Sequence, residues 1–221
     1  MTGCTPISDG CKNCYASKMA RRLQAMGQKR YQNGFQVTLH PDLLDEPMKW
    51  KKPRMVFVNS MGDMFHEKIP LEYIQHVFQT MVRAERHIFQ VLTKRSSRMI
   101  ELAQHLPWPK NVWLGVTIES AKYCYRADNL RKSSAKIKFL SIEPMIGPFT
   151  ELSLVDIDWV IVGGESGPQA RAIEKEWPLA VRDKCVNSNV PFFFKQWGGR
   201  NKKKAGRLLE GQVWDQFPSR K

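Results

Sequence analysis

The sequence has no long apolar run. None of its apolar stretches approaches the roughly 18 to 20 residues that a membrane-spanning helix needs, and its N-terminus has no signal-peptide core. We therefore expect a cytoplasmic protein with no membrane partner. Its 221 residues, 42% of them hydrophobic, are enough for one domain with a sizeable core and too few for two ordinary enzyme domains.

Acidic residues are also few. The chain has 21 Asp and Glu residues against 35 Lys and Arg residues, a formal net charge of +14. Because such an excess attracts polyanions, nucleic acid is the leading macromolecular partner. Residues 49–54 and 200–207 combine cations with Trp50 and Trp197, which could stack on bases. A merely solvated basic surface is the alternative, since the sequence does not show the charge gathered on one face.

Short apolar runs alternate with amphipathic segments along most of the chain. The runs predicted as strands are 55–58, 88–92, 112–117, 137–142, 159–162 and 191–194, and the predicted helices are 15–26, 71–84, 96–105, 121–132 and 177–187. Strands that are apolar throughout suit a parallel sheet covered by helices, which predicts the α/β class. An open sheet and a partly closed barrel both remain possible, and both place the ligand site at the carboxyl ends of the strands.

The chain divides into a main body, residues 1–199, and a basic C-terminal extension, residues 200–221. The extension contains an apolar stretch, L-L-E-G-Q-V-W-D-Q-F-P, which is too apolar for a free linker. We expect it to pack back on the main body as a small hairpin.

Cysteine is scarce, but three of the five cysteines stand within the first fourteen residues. Cys4, Cys11 and Cys14 follow the pattern C-x6-C-x2-C, in which the close pair can grip a metal centre from a tight turn and the distant thiol closes the other side. Three thiolates suit an iron-sulfur cubane with one open iron. The alternatives are structural zinc, completed by His40 or His66, and three unconnected thiols.

The remaining cysteines show no metal-ligand spacing. Cys124 and Cys185 stand alone in predicted helices, where we expect them to be packing residues. The histidines form no H-E-x-x-H motif, and the chain has neither a nucleophile elbow nor a phosphate-loop consensus. These observations argue against a hydrolase or a kinase.

Polar motifs follow the predicted strands: N-S-M-G-D, L-T-K-R, G-V-T-I-E-S, S-I-E-P-M-I-G-P, V-G-G-E-S-G and F-F-F-K-Q-W-G-G. Together with the cysteines and the basic helix after them, these motifs resemble a phage-associated three-cysteine family of radical-SAM-like proteins over essentially the whole chain. The resemblance implies a partial (β/α) barrel of about six parallel strands. It also implies a 4Fe-4S cluster on Cys4, Cys11 and Cys14, with S-adenosylmethionine (SAM) chelating the open iron.

The resemblance further implies an activity and its partners. An external one-electron reductant would reduce the cluster, SAM would be cleaved to a 5'-deoxyadenosyl radical, and the radical would take a hydrogen atom from a substrate. Given the basic composition, we expect that substrate to be nucleic acid or a nucleotide. The rival hypothesis is a non-catalytic nucleic-acid-binding module with structural zinc.

Three features depart from the radical SAM pattern. Six residues separate Cys4 from Cys11, whereas the common spacing is C-x3-C-x2-C, and Asn13 stands where an aromatic residue usually precedes the last cysteine. The strand and Trp-containing lead that precede the first cysteine in the phage family are missing here. We therefore expect that the first barrel strand is absent and that the cysteine loop is tethered on one side only. An inactive, truncated phage protein is the corresponding alternative.

Applied strand by strand, the resemblance to radical SAM proteins implies candidate site residues. The expected cofactor-binding residues are Asn59, Ser60, Gly62, Asp63, Glu119, Ser120, Glu143, Gly163, Gly164 and Glu165. The first four of these would bind the SAM amino group, Glu119 and Ser120 the ribose. The expected substrate-binding residues are Arg171, Lys195 and Gln196. Structural roles are the alternative throughout: a turn for Asp63, a helix cap for Ser120 and a tight turn for the glycines.

Overall fold

A parallel sheet of six strands, curled into a half-barrel, forms the body of the protein in the computed structural model, which describes residues 1–219. The strands are β1 Met55–Val58, β2 Ile88–Thr93, β3 Val112–Thr117, β4 Ile137–Ile142, β5 Trp159–Gly163 and β6 Phe192–Gln196. They are adjacent in the sheet in chain order, and every pair is parallel. The predicted α/β class and partial barrel are therefore confirmed.

Helices alternate with these strands. They are α1 Tyr15–Ala25, α2 Leu71–Arg83, α3 Ser96–Ala103, α4 Tyr125–Arg131, α5 Glu176–Asn187 and α6 Lys202–Ala205, with short 3-10 helices at Asp9–Cys11, Lys29–Tyr31, Pro41–Leu43, Glu46–Lys49 and Ala121–Tyr123. Gly27, just past the end of α1, has φ +69°, the left-handed conformation in which glycine is favoured after a helix. No helix within residues 1–219 is both long and apolar enough to cross a bilayer.

The two faces of the sheet are buried in different ways. Alternate residues of the strands, such as Leu114 and Val160, belong to the main core that the helices cover. On the opposite, concave face, Trp113, Phe139 and Trp159 form a second cluster near the starts of the strands. These rings fill the interior near the amino ends of the strands, and the predicted site residues follow the strands at their carboxyl ends. This region is called the mouth below.

The C-terminal tail forms a hairpin that packs beside β6. Its strands are β7 Leu208–Leu209 and β8 Gln212–Val213. Beyond the hairpin, the Phe194 amide donates to the Trp214 carbonyl at 2.9 Å, so the tail continues along the outer edge of β6. The last two residues of the predicted extension, 220 and 221, lie outside the described residues.

Candidate functional site

The cysteine loop, residues 4–14, is joined at its beginning to the edge of the sheet. Gly3 pairs in parallel with Gly62, just past β1, and its amide donates to the Met61 carbonyl at 2.9 Å. A Cβ on Gly62 would come within 2.9 Å of the Gly3 carbonyl oxygen, so the close approach of the two chains requires glycine there. Gly62, which was predicted to bind the cofactor, therefore allows the start of the cysteine loop to pack against the loop after β1.

Arg95, after β2, and His66, after β1, hold the first turn of the cysteine loop. The buried Arg95 donates from Nη2 to the Thr5 carbonyl at 2.9 Å and to its hydroxyl at 3.0 Å, and the same nitrogen lies 4.0 Å from the Cys4 sulfur. His66 binds the Thr5 hydroxyl through Nε2 at 2.9 Å, while its Nδ1 accepts the Lys68 amide. Thr5 is therefore fixed from two sides.

Glu119, after β3, holds the middle of the cysteine loop. Its carboxylate is fully buried and forms an ion pair with Arg126 at 2.8 Å. The Ser8 hydroxyl donates a hydrogen bond to its other oxygen. Gly10 lies so close that a Cβ there would meet that oxygen at 2.5 Å. These contacts occupy Glu119 and favour a structural role over the predicted binding of ribose.

Glu165, after β5, holds the end of the cysteine loop. It accepts hydrogen bonds from Asn13 Nδ2 and Arg171 Nε, both at 2.9 Å, and Arg171 also donates to the Asp9 carbonyl at 3.0 Å. Burial acts to raise the pKa of Glu165, but the hydrogen bonds from Arg171 and Asn13 outweigh it and hold the pKa below its usual value. Glu165 and Arg171 are thus an anchoring pair in this structure.

These anchors correct one expectation. The cysteine loop was expected to be tethered on one side only, and that is wrong. Buried side chains from three strand ends, Arg95, Glu119 and Glu165, bind it at its start, middle and end. A buried carboxylate or guanidinium is costly to leave unpaired, so each of these contacts resists movement of the loop.

The three loop thiols are half-buried and form no disulfide. Burial is the largest cause that raises the pKa of Cys4, and Asp63 and Cys11 raise it further, whereas Arg95 acts in the opposite direction. Cys11 lies 3.6 Å from the Ser8 hydroxyl, and Cys14 directly precedes α1. A metal that bound here would have to displace the proton of Cys4.

The donors that the cysteine loop offers to a metal are its three thiols. Within residues 1–219, no group of three or more His, Cys, Asp or Glu side chains is placed to hold a metal ion. The suggested fourth zinc ligands are engaged elsewhere, since His66 binds Thr5 and His40 binds the Thr2 hydroxyl at 3.0 Å. Three cysteines are the number of protein ligands that a 4Fe-4S cluster takes when one of its irons is left for another ligand.

Glu143, Lys195 and Gln196 come together at the mouth. Glu143 accepts from Lys195 Nζ at 2.9 Å and from Gln196 Nε2 at 2.7 Å. A Cβ on Gly163 would come within 2.9 Å of Gln196 Nε2, so this glycine lets the three side chains meet. The Glu143 side chain is 26% exposed, unlike Glu119 at 0%, and it is therefore accessible to a ligand.

Two further predicted residues are available for a ligand. The buried Nδ2 of Asn59 has no hydrogen-bond partner among the described residues, and its backbone is left-handed with φ +56°. Ser120 makes no capping hydrogen bond to the 3-10 helix that follows, so the predicted alternative of a helix cap is not what its side chain does.

The Ser60 carbonyl accepts a hydrogen bond from the Tyr15 hydroxyl, which ties the loop after β1 to α1.

Two other predicted residues, Asp63 and Gly164, make close contacts within the protein. Asp63 accepts from the Phe65 amide at 3.0 Å, the Thr93 hydroxyl at 2.7 Å and the Lys94 amide at 3.1 Å. A Cβ on Gly164 would come within 1.9 Å of the Trp197 carbonyl oxygen. Their contacts favour the structural alternatives: Asp63 ties the turn after β1 to the end of β2, and Gly164 lets two chain segments approach closely.

Sequence reasoning missed the residues that hold the cysteine loop from within. Three of them, Ser8, Gly10 and Asn13, lie between the cysteines. Two others lie outside the loop: Arg95 directly precedes α3, and Arg126 lies on α4. The signal that could have found them is the unusual length of the C-x6-C segment. A six-residue spacer with small and polar side chains needs partners elsewhere in the fold.

Fold and site together define a class: an α/β half-barrel with a three-cysteine loop fixed over the carboxyl ends of its strands. The chain belongs to the DUF5131 family, described as a protein of unknown function, whose model matches residues 1–218. Neither the search of curated proteins nor the search of solved structures gave a match.

Proposed function

We propose that this protein is a 4Fe-4S protein of the radical SAM type, which binds SAM and acts on nucleic acid or a nucleotide. The observation that supports this most strongly is the position of Cys4, Cys11 and Cys14. They are half-buried on one loop, and that loop is bound by three buried side chains at the mouth of a half-barrel. Free thiols and an oxidisable cluster also suit the reducing cytoplasm.

In this proposal Cys4, Cys11 and Cys14 would hold the cluster, which leaves one iron without a protein ligand. A reduced 4Fe-4S cluster, supplied with an electron by an external reductant, provides reductive cleavage of SAM to methionine and a 5'-deoxyadenosyl radical. The chain's own residues fix positions. Arg95 holds the Cys4 end of the loop, and Glu165 holds the segment before Cys14 through Asn13. These anchors would keep the thiols from rearranging as ligands exchange.

The polar groups at the mouth orient the ligands. Glu143 is the accessible carboxylate there and suits the SAM amino group or ribose hydroxyls, which are donors. Lys195 pairs with Glu143 and remains 52% exposed, so it can also meet an anionic group of a substrate. Asn59 adds an unpartnered amide donor. The aromatic cluster of Trp113, Phe139 and Trp159 closes the opposite end of the interior to water.

The test is SAM cleavage. Protein reconstituted anaerobically with iron and sulfide, then reduced with dithionite in the presence of SAM, should release 5'-deoxyadenosine in proportion to its cluster content. Cys14→Ala should release none. Stoichiometric zinc in the purified protein, with no SAM binding, would instead support the rival non-catalytic nucleic-acid-binding module. A cluster without SAM cleavage would support the inactive form.

A further inference from the structure

A cleft of about 360 Å³ opens beside the cysteine loop, and no ligand has been assigned to it above. It lies between the loop, the start of α3 and the start of α4. Four cationic and two acidic side chains line it. The cationic ones are Lys94, Arg95, Arg98 and Arg126, and the acidic ones are Glu67 and Glu101. Its lining is therefore suited to an anion.

Helix α3 points its first turn at this cleft. Arg95 stands at the N-cap position and makes no side-chain capping bond, because its guanidinium binds Thr5 and Glu67 instead. The first-turn residues Ser96 and Ser97 both line the cleft, and Ser97 is exposed. The amides at the start of a helix carry partial positive charge and suit a phosphate.

Unsatisfied arginine nitrogens give an independent sign of a ligand. Arg95 is 6% exposed and Arg126 is 1% exposed, and both line the cleft. The Nε of each is buried and has no hydrogen-bond partner among the described residues, and the same holds for Arg98. Buried donors are normally paired. Arg95 and Arg126 already use their terminal nitrogens on Thr5, Glu67 and Glu119, so the buried nitrogen that each has left for an acceptor in the cleft is its Nε.

The rim of the cleft is apolar and aromatic. Tyr125 is 51% exposed and Ile7 is 41% exposed, which is unusual for side chains of this size. A nucleobase could stack on the Tyr125 ring while its phosphate reaches the start of α3. The net charge of +14 would draw a polyanion to this surface.

We propose that this cleft binds a nucleotide unit of single-stranded nucleic acid, with the phosphate at the start of α3 and the base against Tyr125. The inference rests on the proposed function for its choice of substrate, and it gives that substrate a binding place beside the cysteine loop. It does not require the cluster, because the cleft is lined by other residues than the three cysteines proposed to bind the cluster.

A charge placed at the helix start tests the proposal. Ser97→Glu puts a carboxylate where the phosphate would lie, yet an acidic residue in the first turn stabilises a helix, so the fold should be kept. Ser134→Glu is the matched control, because it makes the same change at an exposed residue before β4, at the amino end of the sheet. The probe is a fluorescently labelled 12-nucleotide oligothymidylate, and binding is followed by anisotropy.

We expect Ser97→Glu to weaken oligonucleotide binding about tenfold and Ser134→Glu to weaken it less than about twofold. Tyr125→Ala should weaken binding of the oligonucleotide and leave competition by inorganic phosphate unchanged. Equal effects of the two glutamate variants would overturn the proposal. So would capture of a polyglutamate peptide in place of the oligonucleotide, since that outcome assigns the cleft to an acidic polypeptide.

The same assay on Cys14→Ala separates this proposal from the proposed cluster. If Cys14→Ala loses iron and still binds the oligonucleotide with Ser97 dependence, both proposals stand. If the wild-type chain holds no iron but shows that dependence, the cluster fails and the cleft stands. If the wild-type chain holds iron but its oligonucleotide binding does not depend on Ser97, the cluster stands and the cleft fails.

Discussion

Gly10 lies against the buried Glu119 carboxylate, and a Cβ at Gly10 would sit 2.5 Å from its Oε1 oxygen and 2.6 Å from its Cγ. Glu119 cannot easily give way, because it is fully buried and paired with Arg126. The middle of the cysteine loop is thus held against the end of β3 by a contact that permits only glycine. The loop carries the proposed cluster ligands, so a small change at Gly10 has a large expected effect.

Gly10→Ala should displace the cysteine loop. Because the added methyl group overlaps a buried side chain, we expect the free energy of unfolding to fall by about 1 to 3 kcal/mol. Iron content after reconstitution should fall to less than about half that of the wild type, because three ligands must converge for binding. Gly147→Ala is the control, since a Cβ there makes an ordinary contact of 3.5 Å with Ser120. Wild-type iron content in Gly10→Ala would contradict the anchoring role.

Glu143→Gln should separate ligand binding from cluster binding. The change keeps the shape of the side chain and removes its charge, while Lys195 and Gln196 remain in place. We expect SAM affinity to fall about tenfold in equilibrium dialysis, a loss typical of one charge-assisted contact, with iron content unchanged. Glu174→Gln, at an exposed residue before α5, should change neither. If Glu143→Gln binds SAM as tightly as the wild type, the Glu143 carboxylate does not contact SAM.

The five thiols should differ in reactivity. Burial raises the pKa of Cys185 to about 12, so its thiolate is scarce at neutral pH, and burial also raises the pKa of Cys124. Iodoacetamide should therefore label Cys11 and Cys14 of the metal-free native protein well before Cys185, as read by peptide mass spectrometry. Reconstitution should protect the loop thiols. Rapid labelling of Cys185 in the native protein would show that its burial is wrong.

His66 should make stability depend on pH. Burial is the largest cause that lowers its pKa in the folded protein, and Arg95 lowers it further. Between that lowered value and the unfolded value of about 6.5, the unfolded chain binds more protons. The free energy of unfolding, measured by urea denaturation, should therefore decrease as pH falls below about 6.5. His66→Gln should show a smaller decrease over the same window, and an equal slope in both proteins would count against this assignment.

The sequence predicted the sheet well because the signal is local. The strand Val112–Thr117 has the bounds that the sequence predicts, since it is buried on both faces and flanked by polar turns. One prediction, a helix over 121–132, combined two elements: a 3-10 helix at Ala121–Tyr123 and then α4. Their boundary falls at Cys124, whose local sequence gives no break signal.

The candidate site was predicted less completely, because the deciding contacts join residues far apart in the chain. Glu119 and Glu165 stand at strand ends just as Glu143 does, and the sequence gives all three the same appearance. What separates them is the partner. Ser8 and Asn13 occupy the first two, whereas Lys195 and Gln196 meet the third at the accessible mouth. Such pairings arise only when the loop folds over the sheet.

The most direct test of this account is the quantitation of iron and acid-labile sulfide in anaerobically reconstituted protein and in the Cys4→Ala, Cys11→Ala and Cys14→Ala variants. The account predicts about four irons and four sulfides per wild-type chain. It also predicts a loss of most of both in each variant, with Cys124→Ala like the wild type. Stoichiometric zinc without sulfide, or iron that survives removal of each loop cysteine in turn, would contradict it.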